Sequence, residues 1–195
     1  MNAVERSLRD FLAARPNDVD IAVVGGMAVS VRADPRFTRD LDFAVAVDDD
    51  DEAARYVFRL RQVGYEVVAA LQQTKHERLS TVRLRRRGRG PIVDLLFAAC
   101  GIEMEIVRAS EPAEVGAGLV ANVARVGHLV AMKLLSRDAK LRPRDQQDLV
   151  ELAKVADALE WERAEAAVEL IRERGFSRGR DLRAGLAEIR ALADD

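Results

Sequence analysis

One stretch of this chain constrains its fold more than any other, from Val19 to Phe43. The apolar run Val19 to Val24 stops at Gly25-Gly26, and Met27 to Val31 continues as a short helical pattern broken at Asp34-Pro35. This reads as a buried strand that enters a tight turn and leaves it as a helix. Past residues 27–39 stands Asp40-Leu41-Asp42, at the head of a second apolar strand, Leu41 to Val47. Alternation along a strand puts the side chains of Asp40 and Asp42 on one face. Two carboxylates held so close repel each other, and a divalent cation relieves the repulsion. Hard oxygen ligands of this kind suit Mg²⁺ or Mn²⁺, which leave positions for water and substrate phosphates. The paired glycines offer backbone N–H groups at a helix N-terminus, where phosphate is favoured. Either half of the pattern is common alone. Together they describe a site for a nucleoside triphosphate and its metal ions.

Other uses of these residues are excluded by context. Haloacid-dehalogenase phosphatases place Asp-x-Asp at the C-terminal end of an apolar strand, whereas here Phe43 to Val47 follows the pair and polar Asp34-Pro35-Arg36 precedes it. Neither Gly-x-x-x-x-Gly-Lys-Ser/Thr nor Gly-x-Gly-x-x-Gly occurs, so P-loop and Rossmann phosphate cradles are absent. A formal net charge of −2 supplies no global field toward nucleic acid or membrane, so any basic surface is local. The single cysteine, Cys100, rules out a disulfide framework and reads as a core residue. His76 and His128 lack metal-ligand spacing, and His128 is placed to cap the helix after it. The apolar runs fall short of the roughly 20 residues a membrane span needs. The charged N-terminal segment is not a signal peptide, so a cytoplasmic location without membrane contact is expected.

Along the chain, Val4, Leu8, Phe11 and Leu12 share a helical face, and the acidic stretch Asp48 to Asp51 opens a helix carrying Ala53, Val57 and Leu60. Strands are expected at Tyr65 to Leu71, Arg78 to Leu84 and Ile92 to Ala98, with another at Glu103 to Val107. Arg85 to Gly90 has the length and glycines of a hairpin link. From Ala117 onward the pattern is helical, with Trp161 in its packing. The expected plan is therefore α+β: a mixed sheet with flanking helices over residues 1–116, then a helical domain over 117–195 that contributes Lys and Asp side chains to the site.

Val23-Val24-Gly25-Gly26, followed by Thr38-Arg39-Asp40-Leu41-Asp42-Phe43, resembles the signature of the DNA polymerase β-like nucleotidyltransferase superfamily. More narrowly it is similar to the AbiEii/AbiGii toxins, over most of the chain. Gly26 stands where that superfamily often has serine, leaving only backbone contacts to phosphate. The resemblance implies transfer of NMP from an NTP with release of pyrophosphate, in the toxin of a type IV toxin–antitoxin pair with a cognate antitoxin and, as in some relatives, a tRNA acceptor. A protein or small-molecule acceptor, or a degenerate nucleotide-binding module acting through a partner, are the alternatives.

Three further groups complete the expected site. Asp94 is the only charge in the apolar run Ile92 to Phe97, and a buried carboxylate needs a cation or donors. Either it joins Asp40 and Asp42 at the metal, as superfamily enzymes commonly arrange, or it pairs with an adjacent arginine. Lys133 interrupts the apolar run Leu129 to Leu135, with Arg137 and Lys140 beyond it. It is either a snorkelling lysine at a helix edge or a cation aimed at triphosphate. Pro143 starts a helix on which Asp145 and Asp148 lie one turn apart. The order Lys133, Arg137, Lys140, Asp145, Asp148 is similar to the later motifs of the AbiEii-type toxins. On that likeness Lys133 and Arg137 bind nucleotide with Gly25 and Gly26, and Asp145 or Asp148 acts near the nucleophile or positions the lysine. Five arginines between Arg83 and Arg89 form a local basic patch, read equally as an RNA contact or as a solvated hairpin that blocks edge pairing.

Overall fold

The computed structural model describes residues 3–36, 38–87, 90–116, 118–137 and 143–193. Helix α1 (Ala3–Ala14) buries Val4, Leu8 and Phe11, the face its spacing marks out. Strand β1 (Ile21–Val24) is buried at every position and runs straight into α2 (Gly25–Arg32). Strand β2 (Leu41–Val45) returns antiparallel beside β1. Helix α3 (Asp50–Gln62) follows, its first turn capped by the Asp49 carboxylate, which accepts from the Glu52 N–H. The three expected strands are β3 (Tyr65–Gln73), β4 (Arg78–Arg86) and β5 (Val93–Leu96), with β4 and β5 antiparallel neighbours. Gly88 and Arg89, in the link between them, lie outside the described residues.

Two segments depart from the sequence reading. Glu103 to Val107 is helical, as part of α4 (Glu103–Ala109). Its short mixed pattern fits either period, and a tertiary contact decides the matter. The buried Glu103 carboxylate accepts from the N–H groups of Ala99, Cys100 and Gly101, folding the preceding loop around the start of the helix. The stretch expected to be helical from Ala117 instead contains β7 (Leu119–Val123), which pairs with β6 (Glu111–Gly116) before the helices begin. Glu111, Pro112 and Glu114 are weak strand formers, tolerated because β6 is the outermost strand.

The chain then forms α5 (Val126–Ser136), α6 (Pro143–Val155), α7 (Ala158–Glu173) and α8 (Leu182–Ala193). The start of α5 is served by Glu160 rather than by His128. The Glu160 carboxylate accepts from the Gly127 N–H and from Arg125, while His128 lies inside the helix, buried, its pKa pushed down to about 4 by burial and by nearby Arg163.

Among the described residues the strands form one mixed sheet in the order β3-β4-β5-β2-β1-β7-β6, parallel at β2–β5 and β1–β7. With its flanking and C-terminal helices this is the expected α+β architecture. Phe11 of α1 stacks on Phe43 at 4.6 Å and meets the edge of Tyr65 at 5.6 Å, fastening one side of the sheet. No helix among the described residues is long and apolar enough to cross a membrane.

Candidate active site

Strand register builds the first half of the site. Val24 pairs with Asp42, Asp42 with Asp94, and Asp94 with Arg83, so four adjacent strands place these residues in one row across the sheet. Partners in register share a face. Gly25, one step beyond Val24, takes a positive φ of 63°, and a Cβ there would lie 2.1 Å from Asp42 Oδ2. Only glycine permits the first turn of α2 to sit against that carboxylate.

Asp42 has no hydrogen-bond or ion-pair partner among the described residues. Burial, then the negative charges of Asp94 and Asp40, push its pKa up to about 7, against the opposing pull of Lys133 and Arg83. Asp40 is exposed at the rim. Asp94 takes the other course open to it from sequence: Arg83 donates to both of its oxygens, at 2.9 and 2.7 Å. Among the described residues no three acidic, histidine or cysteine side chains gather into a metal-holding group. The donor set that fits a divalent cation is the strained corner of Asp42 with Asp40 beside it. Asp94 stands in the same row with Arg83 on its oxygens.

The second half of the site is fully paired. Lys133 Nζ, from α5, reaches Asp145 Oδ1 and Asp148 Oδ2, both at 2.7 Å. Asp148 Oδ2 also accepts from Arg36 Nη2 at 2.7 Å, and Asp145 Oδ2 from Ser136 Oγ at 3.0 Å. The inward face read for Asp145 and Asp148 is observed, since they are 6% and 2% exposed. Arg36 is held by Ser30, whose hydroxyl donates to the Arg36 carbonyl and accepts from its N–H. Its guanidinium crosses Gly26 so closely that a Cβ there would lie 2.9 Å from Nη2. Gly26 thus makes room for Arg36.

A cleft of about 340 Å³ joins the two halves, lined at one end by Gly25, Gly26, Asp42, Asp94, Arg83 and Lys133. Arg137 turns outward instead, donating to both Glu188 oxygens at 3.0 and 2.9 Å. Lys140 lies outside the described residues. Cys100 is buried, as expected of a core residue, yet also borders the cleft. The sequence reading missed Arg36 and Ser136 as members of the lysine network, and Arg178 as a cleft residue. A larger groove of about 970 Å³ lies between α3 and the β3–β4 pair, lined largely by apolar side chains and remote from these carboxylates.

A protein family and several solved structures are similar to this chain. The family described as nucleotidyl transferase AbiEii toxin, type IV TA system, matches residues 6–195. JHP933 from Helicobacter pylori is 15% identical over 98% of this chain and 89% of that chain, with a TM-score of 0.44. MenT4, a nucleotidyltransferase toxin from Mycobacterium tuberculosis, is 15% identical over 95% of this chain and 88% of that chain, with a TM-score of 0.34. No curated protein sequence matches the chain.

Proposed function

The chain belongs to the AbiEii nucleotidyl transferase toxin family, and on that premise we propose that it transfers NMP from an NTP to an RNA acceptor, tRNA, with release of pyrophosphate. The observation that carries this reading is the Asp42 corner: a carboxylate without a protein partner, pressed against a glycine turn at a helix N-terminus and facing an organised lysine.

Each residue then has a task. Asp40 and Asp42 would hold the divalent cation, Mg²⁺ or Mn²⁺, and Asp94 would join them once Arg83 yields one of its oxygens. When bound, the cation offsets triphosphate charge and aligns attacking and leaving oxygens. The N–H groups of Gly25 and Gly26 receive phosphate oxygens. Lys133, positioned by Asp145 and Asp148, neutralises charge that grows on the leaving pyrophosphate. The acceptor hydroxyl oxygen bonds to the α-phosphorus while the bond to the β-phosphate breaks, and its proton passes to solvent. Arg137 is left a supporting role at most, because Glu188 occupies its guanidinium.

The acceptor reading rests on the arginines of the β4–β5 hairpin. Arg83 faces Asp94, Arg86 pairs with Asp10 and Arg87 with Glu66, which leaves Arg85 without a charged partner among the described residues. The same membership supports a cytoplasmic protein with a cognate antitoxin. Incubation with each labelled NTP, Mg²⁺ and total tRNA tests the proposal. Label on tRNA that disappears with Asp42→Ala is the expected result. Label on protein or on a small molecule moves the acceptor, and binding without transfer to any acceptor reduces the chain to a nucleotide-binding module.

A further inference from the structure

Two rows of the sheet give the cleft ends of opposite chemistry. Asp42, Asp94 and Arg83 form one, beside the glycine turn and Lys133, while Leu71, Thr81 and Leu96 stand in register in the other, and Met132 and Leu135 also line the cleft. Leu96 is two residues along β5 from Asp94, roughly 7 Å at the rise of a strand. A nucleoside triphosphate has the same polarity, with a charged tail and a base whose faces are apolar and whose edge is polar. Binding sites of this kind combine apolar walls with a few placed polar groups.

Those polar groups are present. Register between β3 and β4 slips at Leu71/Gln72, so that Ser80 is an extra residue on β4. The bulge allows Ser80 and Thr81 both to line the cleft, with hydroxyls 3.5 Å apart, although neighbours on a strand ordinarily point to opposite faces. Arg178, in the α7–α8 loop, lines the same cleft. It is held at φ 53°, a left-handed conformation that a non-glycine residue adopts only at a cost. The loop is pinned just ahead of it. Arg174 donates to the Gly101 carbonyl and to Glu105, and Phe176 stacks on His76 at 4.2 Å. Arg178 Nη2 donates to the Ala99 carbonyl at 2.6 Å, and no carboxylate accompanies it among the described residues. The other two cations of the cleft are neutralised, Arg83 by Asp94 and Lys133 by Asp145 and Asp148. Arg178 is the cation left with donors to give.

We propose that the apolar end of the cleft is the nucleobase subsite, and that Arg178 selects the base there. This rests on the nucleotidyltransferase reading above. A guanidinium presents parallel donors and no acceptor, so it favours an edge with two neighbouring acceptors. Guanine offers O6 with N7 and cytosine O2 with N3, whereas adenine and uracil interleave a donor. CTP and GTP are therefore the preferred substrates over ATP and UTP.

The test compares the four NTPs on the full chain and on Arg178→Gly, Arg178→Lys and Thr81→Val, with tripolyphosphate as a base-free probe. Glycine is chosen because it suits the positive φ at this position. The unaltered protein should show a KM for CTP or GTP about tenfold below that for ATP and UTP. Arg178→Gly should raise the favoured KM by about tenfold and flatten the preference, with kcat and tripolyphosphate affinity unchanged. Arg178→Lys should recover only part of the preference, and Thr81→Val should lower affinity for the favoured NTP alone. An unaltered ranking in Arg178→Gly, a preference for ATP or UTP, or a parallel loss of tripolyphosphate binding overturns the inference while leaving nucleotidyl transfer intact. Failure of the unaltered protein to bind or transfer any NTP overturns the underlying reading itself.

Discussion

Two groups of carboxylates share the neighbourhood of Lys133, and their electrostatics are opposite. At the Lys133 corner, Asp145 and Asp148 are matched by Lys133 and Arg36, with Ser136 on a further oxygen. At the Asp42 corner the carboxylate is buried without a donor, beside two more acids of which one is already paired. The first is complete as folded protein. The second is unfavourable as folded protein and is completed by something brought to it. On the proposed function, the contrast assigns the open side to the ligand's phosphates and metal and the paired side to the rigid frame that presents a lysine to them.

The strongest way to break the contrast is to close the open corner. Gly25→Ala places a methyl on Asp42 Oδ2 and forces a left-handed alanine. It should lower transfer of labelled NMP by on the order of 10²–10³-fold, as should Asp42→Ala. An activity within a few-fold of the original would remove the open corner from the mechanism.

On the opposite side, Lys133→Met leaves buried Asp148 with Arg36 alone and buried Asp145 with only the Ser136 hydroxyl. Denaturant unfolding should show a loss of about 3–5 kcal/mol, the usual consequence of removing one partner from a buried ion pair. In an Asp145→Asn background the same substitution should cost clearly less, because one of the stranded charges is gone.

A third test runs the opposite way. The folded protein holds the Asp42 proton more tightly than the unfolded chain does. The penalty for ionising Asp42 is therefore absent below about pH 4, grows between pH 4 and pH 7, and is complete above. Asp42→Asn should stabilise the metal-free protein above pH 7 by on the order of 4 kcal/mol at most. The gain should fade as pH drops toward 4, as thermal melts across that range would show. A gain independent of pH would mean that the Asp42 corner is not electrostatically strained.

The smallest effect belongs to Arg137→Ala. It loses a half-exposed pair with Glu188, so stability should move by no more than about 1 kcal/mol and the KM for NTP should stay unchanged. A several-fold rise in KM would return Arg137 to the nucleotide.

The open corner was legible in sequence and the paired corner only in part. Gly25 and Asp42 announce themselves because strand, turn and alternation are local rules. Lys133, Asp145 and Asp148 were visible as charges on apolar helix faces, but their partner Arg36 lies 112 residues from Asp148, where no periodicity reaches. Asp94 left two partners open, and register with Arg83 supplies one of them in the folded chain. Arg178 gave no signal, since a left-handed arginine looks like any other basic residue in a polar loop. The strand β6 was missed because an edge position accepts Glu and Pro. Helix α4 was missed because Glu103 secures it through contacts to a loop rather than through its own pattern.

The ion pair between Arg36 and Asp148 has a consequence for how the protein comes into being. Its two halves leave the ribosome on the order of 10 seconds apart at ordinary elongation rates. The central strand β1 also waits for Val123 before it gains its parallel neighbour. A nascent chain that already displays the Asp42 corner still lacks Lys133 and its frame, so the two corners come together only after Asp148 has been made.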